Sequence, residues 1–441
     1  MDKEIFFDPK LTRDDRLVLE SLAQDIRVQE SRRNTKSSAA TSKAAKPTGS
    51  DEEALVALME STNTPGTADF EPTVFTSWDY ADIDWKKPFN AWVLAPYVRV
   101  ARGIVRKETD VVMLTHILLY FTTSVPSALA LFFWHFSWLH GIAHFVMQAT
   151  FVGTYTLMMH QHIHMRGVLA KRWALFDGLF PYITDPLMGH TWNTYYYHHV
   201  KHHHIEGNGP NDLSSTLRFQ RDSLPHFLMY LGRFYFFIWF DLPLYFMRTR
   251  KYVLAGKAFF WEMANYSFFV TLFRINPRAT FCVFLMPFFL MRLGLMVGNW
   301  AQHAFVDHDE PDSDYRSSIT LVDVQSNRHS YNDGYHTSHH LNPLRHWRDH
   351  PKSFLKGKEQ YATQGALVFH NIDYMVLTVR LLMKDYKTLA KCLVPIGAEQ
   401  IAMTMDERAA FLKDHTRQFT EEEIARKFNV KGGASATTMA K

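Results

Sequence analysis

Long apolar stretches divide the middle of this chain into segments, several of them about as long as a membrane-crossing helix. The first, residues 111–134, is almost uncharged, and a second runs from about 139 to 159 after a short break. Three more follow at 227–247, 259–273 and 280–298. About 20 predominantly apolar residues span the hydrocarbon core of a bilayer, so this pattern predicts an integral membrane protein of the all-α class.

The distribution of charge indicates which of these stretches cross the bilayer. Basic residues between Arg99 and Lys107 precede the first stretch, and because cytoplasmic flanks carry an excess of Lys and Arg, we expect the N-terminal region to be cytoplasmic. The stretch 227–247 contains Arg233 and Asp241 and precedes another basic run, and we interpret it as a helix lying in the membrane interface. The prediction is two transmembrane helical hairpins (four crossings) with the histidine-rich segments forming a cytoplasmic cap.

The segments on either side of these stretches are more polar. Residues 1–108 are predicted to form a soluble N-terminal region, and its Ser-, Thr-, Ala- and Lys-rich segment 31–66 is expected to be a disordered linker. No apolar signal-peptide segment follows the first charges, so a cleaved secretory signal is not expected. We expect a membrane domain at 109–385 and a cytoplasmic C-terminal tail at 386–441.

Composition narrows the classes of function. Apolar residues make up 47% of the chain, yet the mean hydropathy is −0.20, so a polar portion must offset a strongly apolar one. The formal net charge of +4 is too small to predict nucleic-acid binding. With two cysteines, Cys282 and Cys392, neither a disulfide framework nor a thiolate metal site is expected. The 24 histidines are unusual because many of them fall in short clusters.

Four clusters contain residues spaced by about one helical turn, which places their side chains on one helix face. The spaced residues are His160 and His164; His199, His203 and His204; Asn299 and His303; and His336, His339 and His340. Imidazole is a good ligand for zinc, copper, iron and nickel. A packing or solvent-exposed role is the alternative for any one cluster, but the recurrence of the spacing favours a shared metal site.

Together the four clusters resemble the histidine boxes of the integral-membrane fatty acid desaturase and hydroxylase superfamily. His-x-x-x-His, His-x-x-x-His-His, Asn-x-x-x-His and His-x-x-His-His occur in that order within about residues 111–373. The resemblance implies two iron ions held by nine histidines: His160, His164, His199, His203, His204, His303, His336, His339 and His340. It also implies O₂ as co-substrate and a lipid acyl or alkyl chain as substrate.

Two features leave alternatives open within that resemblance. The run from His199 to His203 also fits a second box that is one residue shorter and uses His202, although the alignment of the segment that follows favours the longer box. That following segment resembles the Pro-x-Asp-x-x-Ser continuation of alkane hydroxylases. Desaturation of a fatty acyl chain is the predicted reaction, and hydroxylation of a fatty acid or alkane is the alternative.

Polar neighbours of the boxes are expected to orient the ligand imidazoles through their second ring nitrogen. The residues assigned to this role are Asp212, Asn299, Asp307 and Asp333. The remaining histidines near the boxes are expected to be structural or to support the ligands from outside: His162, His190, His198, His202, His308 and His329.

The sequence also bears on the type of enzyme and on its partners. No Glu-x-x-His pair occurs, which argues against a carboxylate-bridged di-iron bundle. The chain has neither a Gly-x-Gly-x-x-Gly motif nor the motif of a fused haem domain, so a separate haem protein, ferredoxin or reductase is expected to donate electrons. The N-terminal region favours an enzyme of the endoplasmic reticulum. A histidine-rich membrane metal transporter is the non-enzymatic alternative, although transporters place their ligands near the bilayer midplane rather than at helix ends.

Overall fold

A computed structural model of the protein describes residues 5, 7–8, 11–37, 49–76, 78–322, 327 and 329–428, which are mainly helical. The main helices are α1 (Arg13–Ser37), α2 (Gly49–Asn63), α3 (Val111–Trp134), α4 (Trp138–Met165), α5 (Leu224–Arg248), α6 (Tyr252–Ile275), α7 (Pro277–Gln302), α8 (His336–Leu341), α9 (His350–Thr363), α10 (Tyr374–Leu382) and α11 (Tyr386–Cys392). Shorter helical segments are Tyr80–Asp82, Lys87–Phe89, Asn90–Leu94, Ala95–Arg102, Lys171–Trp173, Ala174–Leu179, Pro181–Leu187, Tyr196–His203, His204–Glu206, Asp314–Ser317, Trp347–Asp349, Gly397–Ala402, Met405–Asp414 and Glu421–Lys427.

Within the part of the chain that the structure describes, five short strands form two small sheets. The strands are β1 (Thr73–Phe75), β2 (Trp78–Asp79), β3 (Ile319–Leu321), β4 (Leu367–Phe369) and β5 (Leu393–Val394). β1 and β2 pair antiparallel, while β4 pairs parallel to β3 and antiparallel to β5. The second sheet therefore joins the chain around the fourth histidine cluster to the C-terminal region.

Three helices within the described residues are long and apolar enough to cross a membrane: α3, α5 and α7. α3 and α7 contain two of the four predicted crossings. The third helix, α5, contains the stretch 227–247 that was predicted to lie in the interface. The other two predicted crossings lie in α4 and α6, which fall outside this set. Four crossings therefore stay a prediction.

α4 and α6 are less apolar because each of them buries polar side chains on its inner face. His144 and Gln148 of α4 and Glu262 and Asn265 of α6 are all at most 1% exposed. Exposed apolar side chains lie on the outer faces of both helices, for example Leu139 in α4. Average hydropathy counts the buried polar groups as though they faced the surroundings, and so it understates how apolar the outer faces are.

α5 contacts the histidine-bearing segments near both of its ends. The Tyr230 hydroxyl accepts a hydrogen bond from Asn299 Nδ2 at 2.7 Å, and the Tyr245 ring lies 4.2 Å from the His202 ring. These two tyrosines are about 22 Å apart along the helix at 1.5 Å per residue. α5 therefore runs alongside the layer of histidines. At the far side of the molecule, Asn276 in the α6–α7 turn donates to the Leu131 carbonyl oxygen of α3 at 3.4 Å.

Part of the segment 31–66, predicted to be a disordered linker, is helical. α1 continues to Ser37 and α2 begins at Gly49, whereas residues 38–48 lie outside the described residues. Tertiary contacts stabilise these helices. Val18 and Leu19 of α1 are fully buried in a cluster with residues of α9, and Lys358 of α9 forms an ion pair with Asp25 at 2.6 Å. The linker prediction is wrong for the helical parts because composition does not show such contacts.

The region predicted as a C-terminal tail is described as far as residue 428 and is integrated into the fold. β5 extends the second sheet, and Leu389 and Leu412 are fully buried in a cluster with Trp300 of α7. Arg221 is also fully buried, and its guanidinium donates to the carbonyl oxygen of His415 at 2.9 Å. The N- and C-terminal regions thus support the part of the chain that carries the histidines.

Candidate metal centre

The first two predicted histidines lie at the C-terminal end of α4. His160 and His164 are one turn apart, both are buried, and their ring centroids are 4.7 Å apart. The helix ends at Met165, and Arg166 adopts a left-handed conformation (φ 57°) that turns the chain. The C-terminal end of α4 thereby holds two imidazoles close together.

The second cluster lies on a π-helical segment, Tyr196–His203, followed by a short α-helical turn. Because π-helical hydrogen bonds join residues five positions apart, position i+5 lies above position i. His199 Nε2 and His204 Nε2 are consequently only 3.0 Å apart. His203, one position earlier, belongs to a different group of imidazoles. π-helical turns occur frequently at functional sites.

The fourth cluster lies on the short helix α8, and its histidines also belong to two different groups of imidazoles. His336 and His340 have Nε2 atoms 3.0 Å apart, and Nε2 of His303, which directly follows α7, lies 3.3 Å from that of His336. His339 Nε2 instead lies 2.8 Å from His204 Nε2. One helix therefore contributes imidazoles to two separate groups.

The nine predicted histidines form two adjoining groups. One group contains His160, His164, His199, His204 and His339, and the other contains His203, His303, His336 and His340. Within each group, one ring nitrogen from every residue lies within 4.8 Å of all the others. The rings of His204 and His340, one from each group, have centroids 5.5 Å apart, so the two groups lie side by side.

The nitrogen atoms of the five-histidine group are arranged as ligands rather than as a hydrogen-bonded network. His160 Nε2 lies 2.8 Å from His199 Nε2 and 3.1 Å from His339 Nε2. In a neutral imidazole this nitrogen has either one hydrogen or one lone pair, so it cannot satisfy both neighbours fully. His164 Nε2 is buried and has no hydrogen-bond partner among the described residues. A cation bound between these lone pairs would satisfy all of them, and the donor set therefore fits a metal ion.

Two imidazoles of the four-histidine group are fixed from outside through the opposite ring nitrogen. His203 Nδ1 donates to Asp212 Oδ2 at 2.7 Å, and His303 Nδ1 donates to the Ser317 carbonyl oxygen, also at 2.7 Å. A hydrogen on Nδ1 leaves the Nε2 lone pair directed into the group, which is the tautomer that metal binding requires. The prediction that Asp212 orients a histidine agrees with this geometry.

Two further carboxylates lie near Nδ1 atoms of grouped histidines. Asp333 Oδ1 is 3.8 Å from His160 Nδ1, and Asp314 Oδ1 is 3.5 Å from His340 Nδ1. Asp333 was predicted to have such a role, but Asp314 was not. No local spacing connects Asp314 with its histidine, so folding alone brings the two together.

The other two residues that were predicted to orient imidazoles lie elsewhere. The Asn299 side-chain amide donates to the Tyr230 hydroxyl at 2.7 Å and to the Ser214 carbonyl oxygen at 2.9 Å. Asp307 instead pairs with Arg316, at 3.5 Å. Their side chains are used for packing segments together, and the prediction of an orienting role is wrong for both.

The histidines outside the two groups have protein partners or line the neighbouring cavity. His202, the alternative member of the second cluster, accepts a hydrogen bond from the Leu213 backbone N–H at 2.9 Å. His162 donates to the Asp177 carbonyl oxygen at 3.0 Å. The corresponding contacts for the others are His190 with Thr156, His308 with the Asp414 carbonyl oxygen, and His198 and His329 on the cavity wall.

Burial favours the neutral form of several grouped imidazoles. It lowers the pKa of His199, His204 and His339 well below the ordinary value, and the neighbouring imidazoles lower these pKa values further. Burial acts to raise the pKa of Asp212, but the two adjacent imidazoles hold that pKa well below its usual range. Neutral imidazoles supported by an ionised carboxylate provide the protonation states that a bound cation needs.

A cavity of about 560 Å³ adjoins both groups, α4 and α7 contribute about half of its lining residues, and most of its lining surface is apolar. His160 and His336 belong to its lining, so it reaches members of each group. Gly153 of α4 and Gly298 of α7 also line it, and an added Cβ at either position would meet no atom within 4 Å. The volume lies within the range of roughly 300–1,000 Å³ for small-molecule sites. The cavity therefore has room for a ligand beside the histidines.

A comparison with known families agrees with this geometry. The model of the fatty acid desaturase family matches residues 132–371, which is more than half of the chain. The chain belongs to the fatty acid desaturase family. Both histidine groups lie within the matched region. No curated protein and no solved structure matches the chain.

Family membership confirms the resemblance drawn from the histidine boxes. The desaturase family implies a lipid substrate and a membrane setting, and it indicates an oxidoreductase. The two histidine groups are compatible with the metal centre of such an enzyme. The structure adds the division of nine imidazoles into groups of five and four, for which the sequence offered no direct signal.

Proposed function

We propose that this protein is an O₂-dependent membrane oxidoreductase that introduces a double bond into a lipid acyl chain. The observation that carries the proposal is the pair of all-histidine groups lying side by side against a largely apolar cavity. Each group would hold one iron ion. Zinc sites in proteins take four ligands at most when they are structural, so a group of five imidazoles suits zinc poorly.

The chain's own residues prepare this site in three ways. The nine converging imidazoles would hold the metals, and Asp212 fixes the ring of His203. The bound irons would supply the O₂ chemistry that removes hydrogen from an unactivated methylene. The cavity walls, including Leu157 of α4 and Met291 and Leu295 of α7, would hold an extended hydrocarbon chain and exclude water from it.

We propose four crossings, with α5 lying in the interface and the histidines on the cytoplasmic side of the endoplasmic reticulum. The contacts of α5 at both ends with the histidine layer support this arrangement. So does the basic run Arg248–Lys251 at its end, since such runs favour the cytoplasm. A separate haem protein, ferredoxin or reductase would deliver electrons from that side.

Hydroxylation is the second candidate reaction, and one observation favours it. The segment that resembles alkane hydroxylases, Pro210 to Ser215, contains Asp212, which bonds directly to a grouped histidine. Both reactions begin with removal of hydrogen from the same kind of carbon. Which reaction follows depends on where the acyl chain lies relative to the metals. A displacement of about 1 Å is enough to change reaction rates strongly.

Product analysis tests the proposal. The protein is expressed in a host that receives fatty acids and alkanes under ¹⁸O₂, and the lipids are examined by mass spectrometry. Loss of two hydrogens supports desaturation, whereas gain of one ¹⁸O atom supports hydroxylation. Iron at two ions per chain is expected in the purified protein. Zinc at variable stoichiometry without any product would instead support a metal transporter.

Substitution of single histidines tests which imidazoles hold the metal. His203→Ala removes a member of the four-histidine group and should abolish turnover and lower the iron content. His162→Ala removes an imidazole bonded to a backbone carbonyl oxygen and should be much milder. Equal effects of the two substitutions would contradict the proposed ligand set.

A further inference from the structure

The helix α10 is apolar on both of its faces. Leu377 and Leu381 are fully buried against the core, which also contains Trp300 of α7. On the opposite side Val379 is 55% exposed and Met383 is 67% exposed. A single exposed apolar side chain is ordinary, but here Met375, Val376 and Val379 follow one another along a short helix, and the exposed Met383 comes directly after its end.

This exposed face continues the apolar surface of α7. The Thr378 hydroxyl donates to the Val297 carbonyl oxygen of α7 at 3.2 Å, and a Cβ placed on Gly294 would lie 4.0 Å from Met375 Cε. Next to Gly294, Leu293 is exposed, and α7 is one of the three helices long and apolar enough to cross a membrane. Lipid that contacts α7 at this level would therefore also contact α10.

Basic side chains follow the apolar face. Residues 380–391 contain Arg380, Lys384, Lys387 and Lys391 against a single acidic residue, Asp385. Lys384, Lys387 and Lys391 are exposed. Long basic side chains at the edge of an apolar face place their charges among lipid headgroups, and several of them together favour anionic lipid.

We propose that α10 lies in the interface of an anionic phospholipid bilayer, with Met375, Val379 and Met383 among the acyl chains. Tyr374 and Met375 also line the cavity beside the histidine groups. The bilayer contact therefore places one wall of the cavity at the level where a lipid's headgroup meets its acyl chain. This surface rests on the contacts of α7 and α10 and does not depend on which reaction the enzyme performs.

Lipid-dependent fluorescence quenching tests this contact in the full-length protein. An environment-sensitive fluorophore is attached to Val379→Cys, and the native Cys282 and Cys392 are buried. The protein is reconstituted in phosphatidylcholine bilayers with or without phosphatidylserine, using lipids brominated on their acyl chains. Phe289→Cys, at an exposed position of α7, serves as the lipid-facing reference. Lys356→Cys, at an exposed position of α9, serves as the water-facing reference.

The proposal expects a fluorescence loss at Val379 comparable with that at Phe289 and severalfold larger than that at Lys356. Phosphatidylserine should increase the loss at Val379, and the double substitution Lys384→Gln, Lys387→Gln should remove that increase. A loss at Val379 no larger than at Lys356 would overturn the proposal. A Val379 probe protected from aqueous iodide but not quenched by lipid would point to a protein partner and would overturn it as well.

Discussion

Replacing Asp212 with Asn is expected to weaken metal binding in the four-histidine group without removing a ligand. The carboxylate is buried, and its Oδ2 accepts the hydrogen bond of His203 Nδ1 at 2.7 Å. A neutral amide can present either oxygen or NH₂ to the imidazole, so it no longer enforces a hydrogen on Nδ1. Loss of such a partner commonly lowers metal affinity or activity by about 10–100-fold, or about 1.4–2.7 kcal/mol.

A chelator titration measures this effect. The parent protein and Asp212→Asn are purified from the same iron-supplemented host, and iron per chain is determined at rising chelator concentration. We expect the variant to lose the iron proposed for the four-histidine group at a chelator concentration about 10–100-fold lower than the parent does. The second iron, in the five-histidine group, should be retained more nearly as in the parent, because its histidines do not bond to this carboxylate.

Asp307→Asn provides the matched control. It removes the same charge from a carboxylate that pairs with Arg316 and contacts neither histidine group. Asp212 Oδ1 also accepts from the Ser214 backbone N–H at 2.9 Å, so the thermal unfolding midpoint of each variant is measured in detergent beside the metal content. Unchanged iron retention in Asp212→Asn, or equal loss in both variants, would refute the reasoning.

Three other predictions follow from the fold. Gly298→Leu should fill part of the cavity and lower turnover at unchanged iron content, whereas Gly256→Leu, on an open face of α6, should resemble the parent in product analysis. Glu262→Gln leaves the buried Arg292 without its counter-charge and should lower the free energy of unfolding by about 3–5 kcal/mol, and adding Arg292→Met should recover much of that loss in denaturant titration. A tag inserted after Lys251 should be cleaved by protease from the same membrane side as a tag inserted after Ser223, before α5, and cleavage from opposite sides would mean that α5 crosses.

The membership of the histidine groups is largely visible in the sequence, because it depends on local spacing. Pairs such as His160 and His164 share a helix face wherever an α-helix forms, so the pattern identifies them before any tertiary contact is known. The division into five and four is not visible. It depends on the π-helical turn that brings His204 above His199, and because such turns are rare, the spacing of the histidines alone does not lead one to expect it.

Contacts between distant segments set the second limit on what the sequence shows. Ser317 and Asp314 support His303 and His340 from a loop, and only the folded chain brings that loop beside α7 and α8. Hydropathy has a related limit, because it averages over a helix and cannot distinguish faces. α5 meets the criterion for a crossing although both of its ends contact the histidine layer, while α6 fails it with Glu262 buried inside.

The proposed topology gains support from the way the histidine groups are assembled. His160 lies at the end of α4 and His303 directly follows α7, and the two groups to which they belong adjoin each other. Both helix ends must therefore lie on one side of the membrane, which requires an even number of crossings between them. In the proposed topology α6 and α7 supply two, joined by the turn at Asn276 on the far side. If α5 crossed in addition to α6 and α7, the number would be three and His303 would face the opposite side from His160, so the proposed crossings of α6 and α7 require α5 to be an interfacial helix.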